Sequence, residues 1–155
     1  MPTALLSFVL VIGMIACDGK AAPPATTWPT ATISVAGGGH STTLDVEIAN
    51  TLSRREQGLM YRQSLDDAHG MIFLFPNDTT DGFWMQNTYI PLDIAYISAD
   101  GKVVDIVHGK PLDQTILYSS QPYRYALEMA GGWFQRHGYA VGATITLPPN
   151  LPPAS

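Results

Sequence analysis

The chain has 155 residues, of which 46% are hydrophobic and 14% are charged, and its formal net charge is −5. This length predicts one folded domain, and this composition excludes an intrinsically disordered acidic chain. With only 8 Lys and Arg residues, the chain is not expected to bind nucleic acid, because such affinity comes largely from Lys and Arg contacts to phosphate.

The N-terminal segment has the pattern of an export signal. Residues 4–16 contain no charged residue and are too few to span a bilayer, which needs about 20. They lead into Cys17, the only cysteine of the chain, and this arrangement resembles a bacterial lipoprotein signal. We expect residues 1–16 to be a signal peptide and Cys17 to be lipidated, which anchors the protein to a membrane of the cell envelope, facing the periplasm or the exterior. A plain signal peptide with an incidental cysteine is the alternative.

Two Pro-rich segments flank the predicted domain. Residues 18–32 are rich in Ala, Pro and Thr and predict, together with Cys17, an extended tether over residues 17–32. Residues 148–155 form a second Pro-rich tail, in which no helix or strand is expected to continue. The globular domain is therefore predicted over residues 33–147.

Short apolar runs separated by turn residues predict a mainly β domain. Strands are predicted at residues 33–35, 43–48, 71–75, 92–97, 103–107, 125–129 and 143–147, with Pro76 ending the third. The Asp100–Gly101 pair between two of these runs predicts a β-hairpin. A capping-box spacing at residues 53–56 and the segment 131–138 predict short helices. The pattern is typical of a compact antiparallel β-sandwich or jelly-roll-like barrel with one or two short helices.

Two acidic residues lie in strands that are otherwise apolar on both faces. Alternation places Asp93 beside Ala95, and Glu128 beside Ala126, so each acid has a small neighbour that leaves space above the sheet. Because a buried carboxylate needs a partner, each acid either lies on the floor of a cavity or is structural. A structural acid would cap a loop or pair with an arginine, Arg55 or Arg62.

The most distinctive motifs are REQGLM at residues 55–60 with Arg62, GMIFLFP at residues 70–76, and FWMQNTYIPLD at residues 83–93, followed by the hairpin at residue 100 and YALEMAGG at residues 125–132. In this order they resemble the domain of unknown function 192 family of bacteria and archaea, over about residues 44–147. The resemblance implies a compact β-sandwich or jelly-roll-like domain with short helices, often secreted or membrane-tethered. It implies no reaction. The chain departs from the family at Gly142–Ala143, where the family usually has Gly-Asp.

The segment 83–88 combines aromatic surface with amide and hydroxyl groups. In a functional interpretation, Trp84 is a stacking platform, and hydrogen bonds come from three polar residues, Asn87, Thr88 and Asp93. These groups suit a saccharide or another polar small ligand in a concave site. In a structural interpretation, residues 83–85 belong to the core or a sheet edge, and the polar residues after them form a turn that bonds to its own backbone.

The leading hypothesis is non-catalytic binding of a polar small ligand, such as a saccharide or cell-wall component, by a lipid-anchored envelope protein. The predicted site comprises Trp84, Asn87, Thr88, Asp93 and Glu128, with Arg55 and Arg62 at its edge, where an arginine could also bind an anionic group. One alternative is a hydrolase in which the two acids act as an acid–base pair with carboxyls about 5–9 Å apart. Another is a protein-interaction module whose motifs serve folding alone.

The sequence predicts neither a metal nor a cofactor. The histidines at positions 40, 69, 108 and 137 form no closely spaced pair of the kind that binds metal. The chain also lacks a phosphate-binding loop and a Gly-x-Ser-x-Gly nucleophile motif.

Overall fold

A computed structural model describes residues 27–155, so the predicted signal peptide, Cys17 and most of the tether lie outside the described residues. In chain order the elements are β1 (Thr30–Gly37), β2 (His40–Ala49), α1 (Leu52–Gln57), β3 (His69–Thr79), β4 (Leu92–Ile97), β5 (Val103–Gly109), β6 (Tyr123–Ala130), α2 (Trp133–Arg136) and β7 (Thr144–Thr146). The described helices are all too short or too polar to cross a membrane.

The seven strands form one sheet in the order β5-β4-β6-β3-β2-β1-β7. Neighbouring strands are antiparallel except β2 and β3, which run parallel. The sheet curls until β7 meets the β4–β5 turn through a bridge between Lys102 and Thr144, but in the described chain it is not closed into a barrel. The predicted mainly β fold with two short helices is confirmed.

The Asp100–Gly101 hairpin is confirmed. The Gly101 N–H donates to the Ser98 carbonyl at 2.9 Å, and Gly101 has φ +82, a conformation that a side chain at this position would strain. The turn pairs Ile97 with Val103, and a one-residue register shift after this pair brings Asp93 opposite His108. This register places the Asp93 carboxylate within hydrogen-bond distance of His108.

Each face of the sheet carries its own hydrophobic core. The first core packs strand residues such as Ile72 and Leu127 against the α2 residues Trp133 and Phe134. The second core lies on the opposite face beneath the long loops, and includes Met71, Phe73, Met85, Ile94, Tyr96 and Tyr123. Because both faces of β4 are covered, all six of its residues are buried.

Several element boundaries differ from those predicted. Strand β3 runs through Pro76, at a point where its pairing with β2 has ended and its register with β6 is broken, so the missing proline N–H costs no ladder bond. Helix α1 begins earlier than expected, since Thr51 is its N-cap and accepts from the Arg54 N–H. Residues 30–32, expected in the tether, pair with β2.

The Pro-rich C-terminal tail lies against the domain. Leu151 and Ala154 pack on the first core, and the Asn50 side-chain amide donates to the Pro153 carbonyl at 2.9 Å. Burial of these apolar side chains holds the tail without any regular secondary structure.

Candidate functional site

The second-core face of the sheet opens into two adjoining cavities. The larger, here called the groove, has a volume of about 460 Å³ and is lined mainly by Phe73, Phe75, Phe83, Trp84 and Tyr123 with the polar residues Arg55, Glu56, Asp78 and Asp81. The smaller, here called the recess, has a volume of about 30 Å³. Four residues line both cavities, Arg55, Glu56, Phe73 and Trp84, so the recess lies directly beside the groove.

Glu128 lies at the recess and is the most unusual group of the site. Its strand register places it between Met71 of β3 and Ile94 of β4, and it is 4% exposed. Among the described residues no group forms a hydrogen bond or an ion pair with its carboxyl. Burial raises the pKa of this carboxyl to about 8, since desolvation disfavours the charged form. The group is therefore a neutral acid at pH 7.

The Glu128 carboxyl is nevertheless accessible from the recess. In the described part of the chain, every polar side-chain atom that is sealed from solvent has a hydrogen-bond partner. The partnerless oxygens of Glu128 must therefore touch the open space of the recess, whose lining includes this residue. A small group that enters the recess can reach the carboxyl without any rearrangement of the sheet.

Trp84 forms the wall between the two cavities and is 46% exposed. Its position is fixed by Phe83, which exchanges two main-chain hydrogen bonds with Leu117 at 2.9 and 2.7 Å and packs its ring edge-on against Phe73 at 5.0 Å. Because these contacts hold Phe83, the side chain of the next residue, Trp84, has a fixed position at the surface. The role of Trp84 as a stacking platform stays a prediction.

Three non-glycine residues with positive φ lie in the loops around the recess: Tyr61, Asn87 and Leu112. They are joined through one segment, since the Tyr61 N–H donates to the Asn87 carbonyl at 2.7 Å and the Leu112 N–H donates to the Thr88 carbonyl at 3.0 Å. Such conformations cost energy and concentrate at functional sites. The three loops are thus joined beside Thr88, a lining residue of the recess, and this junction is here called the mouth of the recess.

Asn87 and Thr88 serve mainly to hold these loops. The Asn87 amide donates to the Tyr61 hydroxyl at 3.0 Å, and the Thr88 hydroxyl donates to the Gln86 carbonyl at 3.3 Å. Thr88 bonds to the backbone of its own turn, as the structural interpretation expects, whereas Asn87 bonds to a side chain of another loop. Thr88 also lines the recess and is buried, which leaves its oxygen within the candidate site.

Neither arginine pairs with a buried acid. The Arg55 guanidinium donates to the carbonyls of Asn50, Leu74 and Ser155 at 3.0–3.1 Å. Arg62 is paired with Glu47 and lines a separate cavity of about 760 Å³. The alternative in which these arginines neutralise Asp93 or Glu128 is wrong, since main-chain carbonyls and Glu47 occupy them.

Asp93 is wholly buried and lies on the other face of the sheet from the groove. Its carboxylate accepts from the N–H groups of Gly132 and Phe134 at 2.9 and 3.2 Å and from Nδ1 of His108 at 2.7 Å. The first two bonds hold the start of α2, so the loop-capping alternative is the one that the structure supports. As a lining residue of the predicted ligand site Asp93 is misplaced, because β4 turns its side chain into the first core.

The same register separates the two acids of the hydrolase hypothesis. Asp93 is opposite Met129, whereas Glu128 is opposite Ile94, and residues opposite each other share a face. The sheet therefore lies between the two carboxyl groups. An acid–base pair formed by Asp93 and Glu128 is wrong on this geometry.

The sequence did not predict several residues of the site. Glu56, Gly58 and Met60 line the recess, and only their place in the REQGLM motif pointed to them. His108 was also not predicted, because it lies opposite Asp93 only through a one-residue register shift between the turn and the rest of the β4–β5 pair. Within the described residues no group of three or more His, Cys, Asp or Glu side chains could hold a metal ion.

Comparisons with known proteins identify relatives of the chain. The family model DUF192, described as "Uncharacterized ACR", matches residues 33–147. The chain is similar to a crystal structure of a proposed transcription regulator from Sinorhizobium meliloti 1021, with 35% identity over 77% of this chain and 94% of that one and a TM-score of 0.75. It is also similar to a protein of unknown function from Novosphingobium aromaticivorans DSM 12444, with 34% identity, coverage of 82% and 91%, and a TM-score of 0.77. No curated protein matches the chain.

Proposed function

The chain belongs to the domain of unknown function 192 family, and from this premise we propose that it binds a polar small ligand, a saccharide or cell-wall component, without catalysis. The ligand lies in the groove against Trp84 and places one polar group in the recess at Glu128. Of the residues predicted from sequence, the proposed site includes Arg55, Trp84, Thr88 and Glu128. Asn87 holds the loops at the mouth of the recess together.

The observation that supports this proposal most strongly is the partnerless Glu128 carboxyl. Burial of a polar group without a hydrogen bond costs roughly 1–3 kcal/mol in proteins. A structural acid would be satisfied as Asp93 is, by N–H groups and a histidine. An acid that faces an accessible recess instead gains its partner when a ligand arrives.

The groove supplies the remaining features of a small-ligand site. Its volume of about 460 Å³ lies within the usual range of about 300–1,000 Å³ for such sites. The exposed Trp84 ring offers an apolar face on which a sugar ring can stack. The acid–base pair predicted for a hydrolase cannot form here, because Asp93 lies across the sheet from Glu128.

Isothermal titration of the purified protein with neutral and amino monosaccharides tests the proposal. Binding to the natural protein should be lost in Trp84→Ala and retained in Val141→Ala. Val141 is a suitable control because it is 59% exposed and lines neither cavity. Equal binding by both variants would place the ligand elsewhere and overturn the proposal.

The interaction-module alternative has its own candidate surface. Tyr61, Tyr89 and Tyr118 are exposed, and the first two belong to the loops at the mouth of the recess. If a protein partner binds there, replacing any one of these tyrosines by alanine should weaken its binding. The sugar titrations of Trp84→Ala should then be the same as those of the natural protein. That result would favour the module over the small-ligand site.

We also infer that a lipid on Cys17 anchors the protein to the cell envelope, with the membrane as its partner. The support is the apolar run at residues 4–16 that ends at the single cysteine. Cells grown with labelled palmitate should incorporate the label into the natural protein and not into Cys17→Ser. An unlabelled natural protein in the soluble fraction would contradict the inference.

A further inference from the structure

The recess combines one partnerless carboxyl with walls that offer acceptors, and we infer that the group it receives is a primary ammonium. The ligand is then an amine-bearing polar molecule, such as an amino sugar. The inference rests on the proposed function and narrows its ligand class. Size, the supply of donors and acceptors, and charge support it independently.

The recess admits one small group and excludes a ring. Its volume is about 30 Å³, whereas about 10–15 Å³ on this measure holds one water molecule. An ammonium or a hydroxyl fits this space, and an acetamide does not. A sugar ring would stay in the adjoining groove and project one substituent inwards.

The walls of the recess favour a donor over an acceptor. The Thr88 hydroxyl oxygen can accept, because its proton is already donated to the Gln86 carbonyl, and the Glu128 carboxyl accepts through both oxygens once it is ionised. The nearest charged donor, Arg55, is engaged with three carbonyls. An ammonium has three donors and no acceptor, so it satisfies this arrangement.

The surroundings are also favourable to positive charge. Two aromatic side chains, Trp84 and Phe73, border the recess. Glu56 and Asp81 add acidic groups to the groove. Clustered negative charges raise the local concentration of cations. The Arg55 charge is held over the Phe75 ring at 5.2 Å.

Binding of an ammonium at Glu128 releases a proton. Burial keeps the carboxyl neutral in the free protein by raising its pKa to about 8, and a cation stabilises the ionised form. The proton leaves to solvent as the ammonium enters. The charged or titratable groups that face Glu128 are Arg55 and Glu56 of α1 and the phenol of Tyr96 on β4, and the neighbouring β3 position is the uncharged Met71.

The sign of the pH dependence separates an ammonium from a neutral acceptor. Below pH 8 the ionised fraction of Glu128 rises close to tenfold per pH unit, so affinity for an ammonium should rise close to tenfold between pH 5.5 and 6.5. A ligand that accepts a hydrogen bond from the neutral acid would show no change over this range. Titration at pH 6.5 in buffers with different ionisation enthalpies should also report release of close to one proton.

The decisive experiment compares glucosamine, glucose and N-acetylglucosamine, which share one ring and carry an ammonium, a hydroxyl or an acetamide. Nα-acetyl-lysine amide supplies the same ammonium from a peptide source. We expect at least one of the two amines to bind about tenfold or more tightly than glucose, as a hydrogen bond to a charged group predicts. Which amine binds better identifies the source.

Two variants complete the experiment. Glu128→Gln keeps the shape and removes the charge, so the preference for the amine should disappear while weak sugar binding persists. Asp100→Asn removes an exposed acid in the β4–β5 turn, outside the groove and the recess, and should keep the preference. Unchanged amine preference in Glu128→Gln would overturn the inference.

Failure of the inference and failure of the proposed function give different results. If glucose binds as tightly as both amines and Trp84→Ala abolishes that binding, the ammonium inference falls and the proposed function stands. If neither the sugars nor the lysine derivative bind, both fall.

Discussion

Replacement of Glu128 by Gln is expected to stabilise the protein at alkaline pH and to leave its stability unchanged in acid. The pKa of Glu128 rises from 4.5 to about 8 on folding. Between these values the native state binds more protons than the unfolded state, so the free energy of unfolding falls as pH increases. At 1.36 kcal/mol per pH unit, the full effect is about 3–5 kcal/mol, the lower figure allowing for water in the recess.

The variant lacks this titration, and its stability should therefore diverge from that of the natural protein. Urea unfolding at pH 5, 7 and 9 measures the difference, and all other titrating groups cancel in the comparison. We expect a difference of about 1 kcal/mol or less at pH 5, with the variant several kcal/mol more stable at pH 9. Asp100→Asn should give a difference that does not grow with pH over this range. Parallel curves for Glu128→Gln and the natural protein would refute the reasoning that Glu128 is buried without a partner.

Three further substitutions test other parts of the structure, each by urea unfolding. Asp93→Asn should lower the free energy of unfolding by about 2–4 kcal/mol, because three donors lose a carboxylate partner; an unchanged value would contradict its capping role. Gly70→Ala should cost about 1–3 kcal/mol, since its Cβ would lie 2.4 Å from the Met129 sulfur and 2.7 Å from the Glu128 carbonyl oxygen; a neutral result would contradict the β3–β6 packing. Trp84→Ala should cost about 1–2 kcal/mol, because about half of its surface is buried, and a loss of about 3–5 kcal/mol would make Trp84 a core residue.

The positions of individual strands, and the burial of their faces, were predictable from the sequence. The apolar runs of β4 and β6 predicted strands covered on both faces, because local periodicity depends only on the chain itself. The hairpin between β4 and β5 followed from two residues that favour a tight turn. The same local reasoning marked Asp93 and Glu128 as exceptional positions.

The relation between strands was not predictable in the same way. Alternation predicts which residues of one strand share a face. It does not predict how that strand is paired with its neighbour, and therefore not which residues of two strands share a face. That choice depends on the pairing of β4 with β6, which places Asp93 and Glu128 on opposite sides of the sheet. The Arg62–Glu47 pair likewise depends on how the loop after α1 folds back over β2.

The recess depends on long-range packing and carries little local signal. Its walls come from α1, the loop that follows it, the segment around Trp84 and the strand residue Glu128. A sequence motif identifies these segments without showing that they meet. Positive φ at Tyr61 likewise has no signal in its residue type, although Asn87 is of a type that adopts it readily.

Chemical-shift mapping with ¹⁵N- and ¹³C-labelled protein and glucosamine tests the ligand site most directly. Saturable shifts are expected at the Trp84 indole N–H, at the Gly58 and Thr88 amides and at the Glu128 carboxyl carbon, which should move towards the ionised value. Shifts confined to the separate cavity around Arg62 and Asp66, or an unmoved Glu128 carboxyl carbon in the saturated complex, would contradict the proposed site.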